Sequence, residues 1–208
     1  MIQKKINIAI IGLGNIGSYL FKYLEKNKLE IKKKCNIEPN VLYVSVKNLR
    51  KKRSIKIPKK KFLKNYLDAT TRKGIDIIVE LIGGAEGPAK KLVFAALRNG
   101  KHVVTANKAL IAKYGDELSK IAERNKVNLE FEAAVCGGVP VLRSIKEGLT
   151  ANKIYKVKGI FNGTSNYILS SMDKENISFK EALSNAQKLG YAEAKPISDI
   201  NGEDVSSK

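Results

Sequence analysis

The 208-residue chain has only two cysteines, Cys35 and Cys136. They are too few for a disulfide framework and lack the spacing of a zinc site. No run of about 18 or more apolar residues occurs, so no stretch reads as a membrane-spanning helix. The chain does not open with a charged-then-apolar leader ending in a cleavage site. These absences predict a soluble, cytoplasmic protein, neither secreted nor membrane-bound. Acidic residues are also scarce: 20 Asp and Glu face 39 Lys and Arg, a formal charge of +19. An excess of that kind attracts phosphate backbones. Here it is spread along the chain, with concentrations at Lys32–Lys34, Lys47–Arg53 and Lys59–Lys61. No aromatic-interleaved groove or recognition motif accompanies it, and no specific nucleic-acid partner is expected.

What is present is enough apolar material, 43% of residues, for a substantial core. INIAII at 6–11 ends in glycines and precedes an amphipathic stretch from about Asn15 to Lys26, which predicts strand, tight turn, helix. VLYVSV at 41–46 and GIDIIVEL at 74–81 read as further strands. Pro88 suits the first turn of a helix running to about Arg98. KHVVT at 101–105, a helix over about 109–124 and VNLEFEAA at 127–134 continue the alternation. Strands separated by helices predict an α/β fold, a doubly wound, mostly parallel sheet of Rossmann type over residues 1–137. The character changes beyond it. A helix is expected between about 138 and 150, a half-exposed strand at IYKVKGI, 154–160, and helices at about 164–172 and 178–189. Residues 138–208 therefore read as the start of another, incomplete α+β domain.

Gly12, Gly14 and Gly17 form G-x-G-x-x-G between a predicted strand and a predicted helix. The first glycine permits the turn, the second lets backbone approach a pyrophosphate, and the third allows close helix packing. The N–H groups of the helix start favour an anion. An ordinary glycine-rich turn would satisfy the spacing alone; the flanking elements favour a dinucleotide, with Leu13, Asn15 and Ile16 completing the turn. An acidic residue after the second strand would bind the ribose hydroxyls of NAD. The chain instead continues VSVKNLRKKR, so that Lys47, Arg50, Lys51 and Arg53 could meet the extra phosphate of NADP, or form a solvated basic loop.

TANK, 105–108, follows the KHVV strand, and the carboxyl edge of such a sheet is where ligands meet. Thr105 and Lys108 are candidates there. In FNGTSNYI, 161–168, Gly163 and Thr164 enter a predicted helix whose backbone donors could hold a carboxylate. A helix cap made by Asn162 or Thr164 is compatible with that role. Glu193, Asp199, Asp204 and Lys208 crowd the closing segment. Asp204 and Lys208 share a helix face if a helix starts near Gly202; the pair is either a solvated ion pair or a proton-transfer lysine with its orienting carboxylate.

Taken in order, IGLGNIG, VELIGG, GKHVVTANKAL, FEAAVCGGVP, GIFNGTSNYIL and GYAEAKPISDINGEDVSSK resemble homoserine dehydrogenases over nearly the whole chain. The resemblance implies interconversion of L-homoserine and L-aspartate 4-semialdehyde with NAD or NADP, in the threonine and methionine branch of amino-acid biosynthesis. It also implies a homodimer. Lys108 and Lys208 become the catalytic candidates, Lys208 as acid/base oriented by Asp204. Glu193 and Asp199 would meet the substrate ammonium, with Asp204 beside them, while Gly163 and Thr164 lie near its carboxylate. A monovalent cation such as Na+ would use the Glu132 side chain and the carbonyls of Val135, Gly137 and Val139. Two departures stand out. Lys195 replaces the family's usual aspartate in GYAEADP, and the family continues far beyond the position of Lys208. A catalytically impaired dinucleotide-binding remnant is thus the alternative, and Lys208 is expected to fray.

Overall fold

The computed structural model describes residues 4–50, 53, 55–193 and 196–208. The expectations placed on Lys51 and Lys195 fall outside them. Two compact units result, Met1–Gly137 and Gly138–Lys208.

The first unit is built on five strands, β1 Lys4–Ile11, β2 Ile37–Ser45, β3 Ile77–Glu80, β4 His102–Thr105 and β5 Leu129–Glu130, in the order β2-β1-β3-β4-β5. Every ladder among them is parallel, as the alternation of strand and helix predicts. Side chains on β1 point alternately to the two faces. Ala9 and Ile11 join the cores of helices α4, Pro88–Arg98, and α5, Lys108–Arg124, through Leu92, Leu97, Leu110 and Leu118. Ile8 and Ile10 pack instead with Phe21 of helix α1, Asn15–Lys26, and with Val41 and Val44. A strand apolar on both faces is what a central parallel strand requires. Pro88 opens α4 without loss, because its missing N–H would have had no helical partner.

Several boundaries differ from expectation. Helix α2, Lys28–Cys35, has no buried residue and hence no apolar stripe to reveal it. Strand β2 begins at Ile37, ahead of the expected 41, and contains Pro39 in register with Ile6. An edge strand tolerates proline, whose absent N–H would have faced away from the ladder. Short helix α3 spans Asp68–Thr71. The expected strand at 127–134 shrinks to β5, because Glu132–Val135 turns into helix α6.

The second unit starts with α7, Val141–Arg143, which runs into a wide π turn at Ser144–Gly148, so the helix expected near 138–150 is present in shortened form. Helices α8, Gly163–Glu175, and α9, Phe179–Lys188, pack through Ile168, Ala182 and Ala186. Asn162 and Ser178 cap them by accepting from the N–H groups of Ser165 and Glu181. Short helices α10, Ile197–Ile200, and α11, Glu203–Ser207, follow. The strand expected at 154–160 does not form. Among the described residues of this unit there is no strand to pair with it, and a lone strand cannot satisfy its backbone groups. Tyr155 and Ile160 stand largely exposed there. Among the described residues no helix is long and apolar enough to cross a membrane.

A surface cluster ties the turn before α4 to α5. Glu86 accepts from Lys113 Nζ at 2.7 Å and from the Tyr114 hydroxyl, while Lys90 Nζ reaches Tyr114 Oη at 2.8 Å. The Lys113 hydrogen bond, then that of Tyr114, lowers the Glu86 carboxyl from 4.5 to about 2. A depressed folded value stabilises the fold above the unfolded value and ceases to do so as pH falls through the folded one. The melting difference between wild type and Glu86→Gln should therefore be full above pH 4.5 and shrink toward pH 2, as followed by circular dichroism. Salt should reduce it, because the groups are exposed.

Candidate active site

The chain leaves β1 at Gly12 and returns to its other side at β3, so the ends of these two strands form the switch point where open parallel sheets bind ligands. Gly12 has φ +105°, and a Cβ there would lie 2.4 Å from the Leu81 carbonyl oxygen. A Cβ on buried Gly17 would lie 2.0 Å from the Gly12 carbonyl oxygen. These two glycines are demanded by the fold itself. Gly14 is different: a Cβ would meet nothing within 4 Å. It lies at the start of α1, where no side chain caps the helix. The open cradle and uncapped helix start fit a pyrophosphate. Leu13 is buried, whereas Asn15 and Ile16 are exposed on the first turn. The Gly12 N–H bonds the Ser45 carbonyl at 2.9 Å, bringing the end of β2 beside the cradle. Exposed Lys47 and Arg50 follow, and the Arg50 N–H bonds Asn48 Oδ1 at 2.8 Å.

At the same sheet edge, Glu80 ends β3 with no exposed surface. Its Oε1 accepts the N–H groups of Ile82 and Gly83 at 2.7 and 3.0 Å, and its Oε2 accepts the Thr105 hydroxyl at 2.5 Å. Thr105 Oγ1 accepts in turn from the Asn107 N–H at 3.0 Å. Asn107 donates to the Gly84 carbonyl at 2.7 Å and caps α5 through the Leu110 N–H at 3.1 Å. Lys108 is the first residue of that helix. The Thr105 side chain is thus buried and committed inward.

In the second unit Asn162, buried, is a hub. Its Nδ2 donates to Asp199 Oδ1 at 2.8 Å and to Asp204 Oδ2 at 2.7 Å. Lys208 Nζ lies 2.8 Å from Asp204 Oδ2 and 2.6 Å from the Phe161 carbonyl oxygen. Asp204 is only 5% exposed. Burial makes this pair unlike an ordinary solvated i,i+4 contact. The Lys208 ammonium, at the end of α11, has these two acceptors. Thr164 donates its hydroxyl to the Tyr191 carbonyl at 2.5 Å, and exposed Gly163 begins α8.

Profiles of two domains match the chain in order: the homoserine dehydrogenase NAD binding domain over residues 12–132 and homoserine dehydrogenase over 140–208. The chain belongs to the homoserine dehydrogenase family. It is 43% identical to the homoserine dehydrogenase of Neisseria gonorrhoeae across 99% of its own length and 47% of that relative's. The crystal structure of a homoserine dehydrogenase from Thiobacillus denitrificans superposes with a TM-score of 0.84 at 43% identity, covering 99% of this chain and 47% of that one. A hyperthermophilic archaeal homoserine dehydrogenase in complex with NADPH gives 0.77 at 25% identity, over 98% and 67% of the two chains. The chain spans about half the length of the curated relatives it matches.

Within this homoserine dehydrogenase framework, Asp199, Asp204 and Lys208 are gathered through Asn162, which the sequence offered only as a cap. Glu193 is exposed, and its carbonyl accepts from Gln187 Nε2 at 3.2 Å. Glu132 opens α6, Val135 closes it, and Gly137 ends the first unit; Val139 lies in the second. Glu80 and Asn107 were visible only as letters of VELIGG and TANK.

Gly12→Ala should destabilise the protein by about 2 kcal/mol or more in urea unfolding, from strain and backbone collision. Gly14→Ala should leave unfolding unchanged and weaken dinucleotide binding by roughly tenfold. Asn162→Ala removes a cap and strips a donor from two carboxylates, which should cost about 2–4 kcal/mol. Asn162→Asp keeps the cap acceptor but sets a third carboxylate against Asp199 and Asp204, so in urea unfolding it should be at least as destabilising as Asn162→Ala.

Proposed function

We propose that this chain binds NADP or NAD and carries the catalytic residues for interconversion of L-homoserine and L-aspartate 4-semialdehyde. The observation that carries the reading is Lys208 held by buried Asp204 in a cluster that includes Asp199 and Asn162. A glycine cradle alone would suit many dinucleotide proteins; this cluster supplies acid/base chemistry. Gly12, Gly14 and Gly17 would hold the pyrophosphate. Lys47 and Arg50 beside the end of β2 favour the extra phosphate of NADP. When bound, the nicotinamide supplies the acceptor for a hydride from C4 of homoserine.

The proton chemistry falls to the protein. Lys208 exchanges the proton of the homoserine hydroxyl, receiving it as the hydride leaves C4 and returning it in the reverse direction. Asp204 and the Phe161 carbonyl orient its amine, and Asn162 fixes Asp204. The charge of Lys108 stabilises the developing alkoxide. Glu193 and Asp199 pair with the substrate ammonium. Gly163 and Thr164 meet its carboxylate through backbone N–H groups, since the Thr164 hydroxyl is bonded to Tyr191. A monovalent cation at the 132–139 segment, a homodimer and a cytoplasmic location complete the reading; hard oxygen donors suit the cation, the homodimer rests on family resemblance, and the location on the sequence composition.

Calorimetric titration of the chain with NADP, alone and with homoserine, tests the reading. Saturable NADP binding strengthened by homoserine is expected. Binding indifferent to homoserine would instead support a dinucleotide-binding remnant, and no binding at millimolar NADP would overturn both. Where turnover is measured, Lys208→Ala should reduce kcat by about 100-fold or more while leaving NADP affinity unchanged.

A further inference from the structure

Glu80 is the most deeply buried ionisable side chain among the described residues, and the chemistry proposed above does not use it. Burying a carboxylate costs stability unless its oxygens are well supplied with donors. Three donors converge on this one: two backbone N–H groups of the turn after β3 and one hydroxyl from the end of β4. The sheet does not need them for its own cohesion. Strands β3 and β4 are already paired in register from Ile77 with His102 to Glu80 with Thr105. The carboxylate controls what happens beyond the last pair.

Hydrogen bonds link Glu80 with Thr105, Thr105 with Asn107, and Asn107 with Gly84, the residue next to the N–H groups that Glu80 itself holds. That closed ring makes the 82–84 turn and the 105–107 turn one body. Its far side caps α5 at Leu110 and so sets where Lys108 begins. Strand order places the ring. With the adenosine ribose near the end of β2 and the pyrophosphate at β1, the remaining nucleotide extends over the ends of β3 and β4.

We propose that Glu80 is a positioning residue: it locks these two turns into a rigid ledge that supports the nicotinamide half of the dinucleotide and aims Lys108. The ledge follows from the hydrogen bonds; its ligand rests on the dinucleotide reading given above.

Amide hydrogen exchange on the ligand-free chain, paired with NADPH fluorescence titration, separates the two. In Glu80→Gln the Ile82, Gly83 and Leu110 amides should exchange at least tenfold faster, with Ile78 and Val103 in the strands unchanged. NADPH affinity should fall about tenfold. That fall should disappear in a Lys108→Ala background if Glu80 acts through Lys108. Thr105→Val should loosen 107–110 in the same way, and Thr105→Ser should restore wild-type exchange, which keeps the test informative if Glu80→Gln fails to fold. Unchanged exchange at 107–110, or acceleration spread evenly through the sheet, would overturn the proposal. A wild-type chain that shows the local exchange pattern but binds no NADPH would remove the dinucleotide reading and leave the ledge standing.

Discussion

The first unit depends on one close approach, that of the turn after β1 to the backbone leaving β3. Where a side chain at Gly12 would begin, the Leu81 carbonyl oxygen already stands 2.4 Å away. Only a residue without Cβ, at a φ that L side chains avoid, lets the two strand ends converge. From that convergence follow the open cradle at Gly14, the uncapped start of α1 and the proximity of the end of β2 through Ser45. The backbone is pressed together at one point so that a charged ligand can meet N–H groups rather than side chains at the next.

The second unit solves a different problem, that of gathering like charges. Asp199 and Asp204 would repel in an apolar setting, and Asp204 is nearly inaccessible. A neutral amide is the economical mediator: both Asn162 N–H bonds are spent on carboxylates and its oxygen caps α8. Lys208 then adds a positive charge to the cluster, with the Phe161 carbonyl as its second acceptor. The same asparagine thus begins a helix and holds the acidic groups in one orientation, so that helix registry and charge placement cannot vary independently.

The sheet was legible because central parallel strands are continuous apolar runs and their glycines fall at fixed offsets. Residues whose significance is local, such as Gly12 and Gly17 or the i,i+4 pair of Asp204 and Lys208, could be read for the same reason. Glu80 with Thr105, 25 positions apart, and Asn162 with Asp199, 37 apart, could not. Their pairing is created by topology, and no periodicity encodes it. Pro39 concealed the start of β2 because proline argues against a strand until the strand is known to be an edge. At 154–160 the alternation was genuine, but alternation describes a face, and a strand also needs a neighbour's backbone.

The edges of the sheet have a consequence for behaviour in concentrated solution. One edge strand carries Pro39, which interrupts the row of N–H donors, and the other, β5, is two residues long. Neither offers a continuous template for strand addition from another molecule. The interrupted and abbreviated edges therefore work against fibrillar stacking, and the large positive charge opposes contact in the same sense.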